Sequence, residues 1–142
     1  MYMRIVNRLI ALTRSIQLNR QFKEIEKSIS DLPIATRRQL AAIAMREFAT
    51  AAKSDSPHLY GSVDHGARYQ PWGNGTDIGL ARMRGDNEHL RLRGIALWLT
   101  VAYYETKQSE SGDMQELHRH LMRTLRVLKE ALPPGEAASI AA

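Results

Sequence analysis

The hydrophobic positions of the chain fall into stretches of helical length, and the others are arranged around the stretch at 90–104 (LRLRGIALWLTVAYY). From Gly94 to Tyr104 it carries no charge, and its apolar residues cover every angle of a helix. Such a helix lies inside a domain or a membrane, and this one is far shorter than the roughly 20 residues that span a bilayer. Its β-branched and aromatic residues also fit a buried strand, but the charged flanks have helical spacing. The stretch therefore predicts the central helix of a small bundle.

Residues 2–30 carry two apolar stripes instead of one. Both stripes have 4-3-4 spacing, and their members are Ile5, Leu9, Leu12 and Ile16, then Leu18, Phe22, Ile25 and Ile29. The step from Ile16 to Leu18 turns the chain by about 200° around a helix axis, so the apolar side changes there. Either the helix breaks near 17–19, or its halves pack against different partners, such as a second subunit for the first half. The spacing leaves both alternatives open.

A second helix is predicted after a turn at 30–34, where Pro33 disfavours helix at the residue before it. Thr36 and Gln39 form a capping-box pattern, in which each side chain can bond to the backbone of the other residue. The helix then runs to about Lys53. Its apolar face consists of Leu40, Ile43, Ala44, Phe48 and Ala51.

Capping residues place the starts of three more helices. Thr76 or Asp77 begins a short helix that closes at Gly85, and Asp86 caps the central helix. Asp113 begins the last helix. Its apolar stripe is the most regular in the chain and consists of Met114, Leu117, Leu121, Leu125, Leu128 and Leu132.

These elements predict an all-α fold, a single-domain helical bundle of four long helices plus one short helix within residues 1–132. A long loop rich in glycine and aromatic residues, 54–75, separates helices two and three. Pro133 ends the last helix, and 133–142 is expected to be a flexible C-terminal tail. A chain of 142 residues has the usual length of one domain.

The long loop is the first candidate site, because an irregular loop of about 20 residues is uncommon in a compact domain unless it is functional or disordered. Its candidate ligand or partner residues are His58, Tyr60, Asp64, His65, Tyr69 and Trp72. A structural role is favoured over a ligand or partner site. A catalytic or metal site comes last, because the spacing matches no metal signature.

The residues and motifs that several kinds of chemistry require are absent from the sequence. The chain has no cysteine, which excludes disulfides, thiolate zinc sites and thiol catalysis. The H-E-x-x-H, P-loop, G-x-G-x-x-G and G-x-S-x-G motifs are absent. His118 and His120 lie two apart on the last helix and therefore face different sides. We expect no metal and no cofactor, and an enzyme is disfavoured without being excluded.

Arginine is the most suggestive functional signal. The net charge is +5, and arginine outnumbers lysine, which suits recognition of phosphate and carboxylate. The candidate anion or nucleic-acid patch consists of Arg82, Arg84, Arg91, Arg93, Arg119, Arg123 and Arg126. Asp86, Glu88, Glu116 and Glu130 lie nearby in sequence and could neutralise it. A helix-turn-helix is disfavoured, because a loop follows the second helix where a recognition helix is needed.

The N-terminal region raises the question of membranes. Residues 1–23 are amphipathic, contain four arginines and have no acidic side chain, as do many interfacial helices and mitochondrial presequences. Both interpretations are disfavoured, because the apolar pattern continues past this segment. We expect no transmembrane segment, no membrane-surface contact by helix one, and a cytoplasmic protein.

Three functional hypotheses follow, in order of preference. The first is a small helical regulatory or adaptor protein that acts through protein contacts. Its expected partner is itself, through Ile5, Leu9, Leu12 and Ile16. The second is a nucleic-acid-binding protein that uses the arginine clusters. The third is an enzyme or ligand-binding protein with its site in 54–77.

Overall fold

Five helices make up the part of the chain that the computed structural model describes, residues 2–53 and 75–132. They are α1 (Tyr2–Ser30), α2 (Ile34–Ala52), α3 (Gly75–Met83), α4 (Glu88–Gln108) and α5 (Gly112–Glu130). These two ranges contain no strand, and the prediction of an all-α bundle with one short helix is confirmed. Except for Gly75, which begins α3, the predicted loop lies outside the described residues, and so does the predicted tail.

Helix α4 is the centre of the bundle, as its sequence predicts. Every residue from Gly94 to Ala102 is buried, whichever way it faces, because α2, α3 and α5 all pack against this helix. Trp98 is fully buried, and its ring stacks on Phe22 of α1 at 5.9 Å between centroids. Its Nε1 donates a hydrogen bond to Oε1 of Gln21 at 2.8 Å, which satisfies the one polar atom of the buried indole.

Helices α3 and α4 approach each other through two glycines. A Cβ atom built on Gly79 would lie 2.7 Å from the carbonyl oxygen of Gly94, and a Cβ atom on Gly94 would lie 2.5 Å from the carbonyl oxygen of Gly79. Real Cβ contacts are not that short, so both positions need a residue without a side chain. This contact fixes the short helix α3 on the central helix.

The apolar stripe of α5 is buried over its full length, as predicted. All six predicted members are less than 9% exposed. On α2, four of the five predicted core residues are buried, and Ile43 is partly buried. Regular stripes therefore identified the buried sides of both helices correctly.

Helix α1 is continuous from Tyr2 to Ser30, which decides between the two alternatives that its sequence left open. The helix does not break at 17–19. Its second stripe is buried in the bundle, whereas the large apolar side chains of its first stripe are exposed. The halves thus face different surroundings, and the described chain covers only the second half.

The predicted helix ends need correction. Helix α2 begins at Ile34, with Pro33 as its N-cap and no side-chain cap, so the predicted capping box of Thr36 and Gln39 is wrong. The fixed φ of proline, here −58°, suits a helix start and allows the helix to begin earlier. Asn87, not Asp86, caps α4, and its side chain accepts the amide hydrogen of Leu90 at 3.0 Å.

In the described ranges, no helix combines the length and the hydropathy of a membrane span.

Candidate functional site

The first half of α1 carries an exposed apolar surface. The four residues predicted for assembly are all exposed, and Ile10, which lies off their 4-3-4 spacing, is exposed as well. Together they are five of the eight exposed large hydrophobic residues in the described part of the chain, between 45% and 60% exposed. We call them the exposed face of α1: Ile5, Leu9, Ile10, Leu12 and Ile16.

This surface faces away from the bundle. On a helix that turns 100° per residue, the stripe Ile5–Ile16 lies about 140° from the stripe of the second half. That second stripe is almost completely buried and consists of Leu18, Phe22, Ile25 and Ile29. Because α1 is continuous, the buried half holds the exposed half in a fixed direction.

A buried ion pair marks the point where α1 changes from exposed to buried. The Arg14 guanidinium donates from Nε to Oε2 of Glu105 at 2.7 Å and from Nη2 to Oε1 at 2.8 Å. The Glu105 side chain is 0% exposed and that of Arg14 is 15% exposed. Nη2 also donates to Oγ1 of Thr76 at 3.0 Å. One guanidinium therefore ties α1 to both α4 and α3.

Sequence reasoning did not find this pair. Arg14 and Glu105 lie 91 positions apart, and neither residue belongs to a motif. Glu105 directly follows the uncharged stretch of α4, which was the only available signal. Because its charge is neutralised internally, Arg14 is no longer a free cation among the arginines of the N-terminal region.

A groove of about 560 Å³ separates α1 from α3. On the α1 side it is lined by residues between Thr13 and Gln21, and on the α3 side by residues between Asp77 and Arg84. Ile16 belongs both to this lining and to the exposed face of α1. The groove and the exposed face are therefore one continuous surface.

Two of the seven predicted patch arginines have intramolecular roles. Arg84 binds Glu24 through two hydrogen bonds of 2.9 and 2.7 Å, and these bonds lower the pKa of the Glu24 carboxyl. Nε of Arg91 donates to the carbonyl oxygen of Met83 at 2.9 Å, which satisfies a backbone group at the end of α3. These two side chains contribute to the fold whether or not they meet an anion.

The other five patch arginines are exposed, and none forms an ion pair within residues 2–53 and 75–132. They are Arg82 and Arg93, and on α5 Arg119, Arg123 and Arg126. The three on α5 recur at 4-3 spacing and therefore share one side of the helix, which is the side opposite its buried stripe. Glu116 and Glu130 share that side of α5 but form no ion pair with them in the described chain.

The two histidines of α5 lie in different surroundings. His118 is partly buried, and its Nδ1 lies 2.9 Å from Oγ1 of Thr106 on α4. Burial, with a smaller effect of the Lys107 cation, lowers the pKa of His118. His120 is exposed. Among the described residues, no three His, Cys, Asp or Glu side chains come together as a metal site would require.

The predicted loop site cannot be placed on this geometry. His58, Tyr60, Asp64, His65, Tyr69 and Trp72 all lie outside the described residues. Of the wider segment 54–77, the structure describes Gly75, Thr76 and Asp77, at the start of α3. A ligand-binding or enzymatic role for this segment stays a prediction.

Protein-family models, curated proteins and solved structures were each compared with the chain, and none of the three comparisons finds a match. Function is therefore inferred from the geometry of the chain itself.

Proposed function

We propose that this is a small helical regulatory or adaptor protein that acts through protein contacts in the cytoplasm, with a second copy of itself as its partner. One observation carries the proposal. Five large apolar side chains within 12 residues of α1 are exposed, on a helix whose other half is anchored in the core. A contiguous apolar patch of this kind is typical of an interaction surface.

The spacing of the exposed face favours a helical partner. Its four members with 4-3-4 spacing form the narrow seam along which two helices interlock. A second copy of α1 presents the same seam, and a symmetric dimer uses one self-complementary patch on both subunits. No other partner chemistry is needed to cover these side chains.

The anchoring of α1 also favours association. A free segment would have to become ordered on binding, which weakens affinity. Here the second half of α1 is packed in the core, and Arg14 is bonded to Glu105 and Thr76. The exposed half is therefore presented as a preformed helix.

Light scattering on the full chain, from low to high micromolar concentration, tests this proposal. We expect a mass that rises from one chain to at least two. A single-chain mass at every concentration would overturn self-association. A separate sedimentation assay with vesicles of anionic phospholipid tests the main alternative, that the exposed face of α1 binds lipid. A monomer that sediments with the vesicles would support that alternative.

A second function, nucleic-acid binding, is supported by one observation. Arg119, Arg123 and Arg126 are exposed along one side of α5 without an ion pair among the described residues. The test is a titration with mixed-sequence DNA and RNA at roughly 50 and 200 mM salt, since phosphate contacts weaken steeply with salt. Reversing Arg119 and Arg123 to glutamate should abolish binding. Reversing Arg38 and Arg46 on α2 makes the same change in net charge and should not.

A further inference from the structure

Ile10 is the one residue of the exposed face of α1 that lies outside the 4-3-4 seam. It lies on the side of α1 that borders the groove between α1 and α3. Ile10, Thr13 and Gln17 repeat at 3-4 spacing and so lie on one side of α1. Thr13 and Gln17 line the groove, and Ile10 extends the same side toward the N-terminus. The exposed face of α1 is therefore wider than a two-helix seam, and the extra width lies on the side of the groove.

The opposite side of the groove is held in place. Asp77 and Ala81 on α3 and Arg84, the residue after its end, recur at 4-3 spacing and line the groove. Gly79, two residues before Ala81, lies against Gly94 of α4. Thr76 accepts a hydrogen bond from Arg14 of α1. With α3 tied to both neighbours, the groove is preformed, and the small exposed side chain of Ala81 leaves space in it.

The position of the groove along α1 determines how a second copy can enter it. The groove lies beside residues 13–21 of α1, whereas the exposed apolar side chains lie at 5–16. Two identical helices can each place residues 5–16 in the groove of the other only if they run antiparallel. In a parallel pair, each apolar segment would lie beside its own counterpart and outside the grooves.

The charges favour the same arrangement. The chain has 20 basic and 15 acidic side chains, and residues 1–23 hold five of the basic ones and none of the acidic ones. The net charge of +5 thus lies entirely in the first 23 residues. A parallel pair would bring Arg4 and Arg8 of both copies together. An antiparallel pair separates them and places them beside the groove, whose lining contains the Asp77 carboxylate and the Arg20 and Arg84 cations. Of these two cations, Arg84 is already paired with Glu24, so the charges favour the antiparallel pair by keeping Arg4 and Arg8 of the two copies apart.

We propose, on the basis of the proposed self-association, that the two copies pair antiparallel and that residues 5–16 of each α1 occupy the α1–α3 groove of the other. Helix α3 then belongs to the interface through Ala81. Ile10 contacts the partner, and so do the four seam residues. Stable dimers bury about 800 Å² per partner. A contact that includes both α1 and α3 comes closer to this area than a contact through the α1 seam alone.

Disulfide cross-linking tests this arrangement directly, because the chain has no cysteine of its own. Two single-cysteine variants, Ile5→Cys and Ala81→Cys, are mixed and oxidised, so that a disulfide between them can only join two copies. We expect this mixed disulfide to form readily. Ile5→Cys alone should not cross-link, because in an antiparallel pair the two Ile5 positions lie roughly 25 Å apart along the helices, beyond disulfide reach. Ala49→Cys, an exposed alanine on α2, is the matched control for Ala81→Cys.

The opposite cross-linking result identifies the alternative. Efficient Ile5→Cys self-disulfides, with no mixed disulfide to Ala81→Cys, would mean a parallel pair and would overturn the groove inference. Self-association itself would survive that result. A chain that is monomeric by light scattering and cross-links nowhere would overturn both proposals.

A second variant measures the contribution of α3. Ala81→Lys fills the groove at an exposed helical position, and its ammonium lies one turn from Asp77, which helps to keep the helix intact. We expect the dissociation constant of the dimer to rise at least tenfold, with an unchanged circular dichroism spectrum. Ala49→Lys makes the same change on α2 and should leave dissociation unchanged. Equal dissociation constants for the two variants would exclude α3 from the interface.

Discussion

Arg14 and Glu105 join α1 to the central helix through two hydrogen bonds, 2.7 and 2.8 Å long, between a nearly buried guanidinium and a fully buried carboxylate. The pair lies where α1 passes from its exposed half to its buried half. Its bond to Thr76 extends the same contact to α3. The direction of the exposed half of α1 therefore depends on this one pair and on the apolar stripe that follows it.

Breaking this pair should destabilise the fold strongly. Glu105→Ala leaves the Arg14 charge mostly buried without its carboxylate, and the loss of one partner of a buried pair costs about 3–5 kcal/mol. Urea denaturation followed by circular dichroism measures it. Glu24→Ala removes the carboxylate from a largely exposed pair and should change the free energy of unfolding little.

A double variant distinguishes two contributions to the free energy of unfolding: the stabilisation by the Arg14–Glu105 pair itself, and the destabilisation caused by a buried charge without a partner. Arg14→Met with Glu105→Leu removes both charges and fills the space with apolar atoms. Such replacements are often close to neutral, so the double variant should be more stable than Glu105→Ala alone. If the two variants are equally unstable, the bonds themselves, rather than the uncompensated charge, account for the loss.

The contact between Gly79 and Gly94 predicts a second pattern of stability. Gly79→Ala and Gly94→Ala each force a methyl group against the backbone of the other helix, and overpacking of this kind costs about 1–3 kcal/mol. Gly112→Ala is the control, because a Cβ there meets nothing within 4 Å. It should stabilise the chain by about 0.4–1 kcal/mol, since alanine restricts the unfolded state. A loss at Gly112 as large as those at Gly79 and Gly94 would contradict the steric explanation.

The lowered pKa of His118 predicts how the stability of the fold depends on pH. Its pKa in the folded chain lies below the usual 6.5, so the unfolded state binds more protons in this range. The free energy of unfolding should therefore be highest above pH 6.5 and fall as the pH drops from 6.5 through the lower pKa of the folded chain. Urea denaturation at a series of pH values measures this dependence.

The matched variants are His118→Gln and His120→Gln. The first should weaken the pH dependence, and the second should leave it as in the wild type, because His120 is exposed. An imidazole resonance of His118 that titrates at or above pH 6.5 would contradict the predicted direction.

Much of the fold could be predicted from the sequence because apolar spacing follows the buried sides of helices directly. The regular stripe of α5 and the uncharged stretch of α4 identified buried residues correctly, and the change of side between Ile16 and Leu18 identified the two halves of α1. Continuity of α1 could not be predicted, because a break at 17–19 and an uncovered half produce the same spacing.

The contacts that position the candidate site are not periodic, and sequence reasoning missed them. Arg14 and Glu105 meet only after the chain has folded, since 91 positions separate them. Gly79 and Gly94 pack backbone to backbone, and an isolated glycine has no pattern that distinguishes this use from a turn. The exposure of Ile10 and the α1–α3 groove likewise depend on where α3 lies against its neighbours.

The central claim is that the exposed face of α1 joins two copies, and sedimentation equilibrium on three proteins tests it most directly. These are the wild type, Leu9→Asp, and Val127→Asp, which places the same charge at a similarly exposed residue of α5. We predict a dimer for the wild type and for Val127→Asp, and a folded monomer for Leu9→Asp. A dimer that tolerates Leu9→Asp as well as Val127→Asp, or a wild type that is monomeric throughout, would contradict the claim.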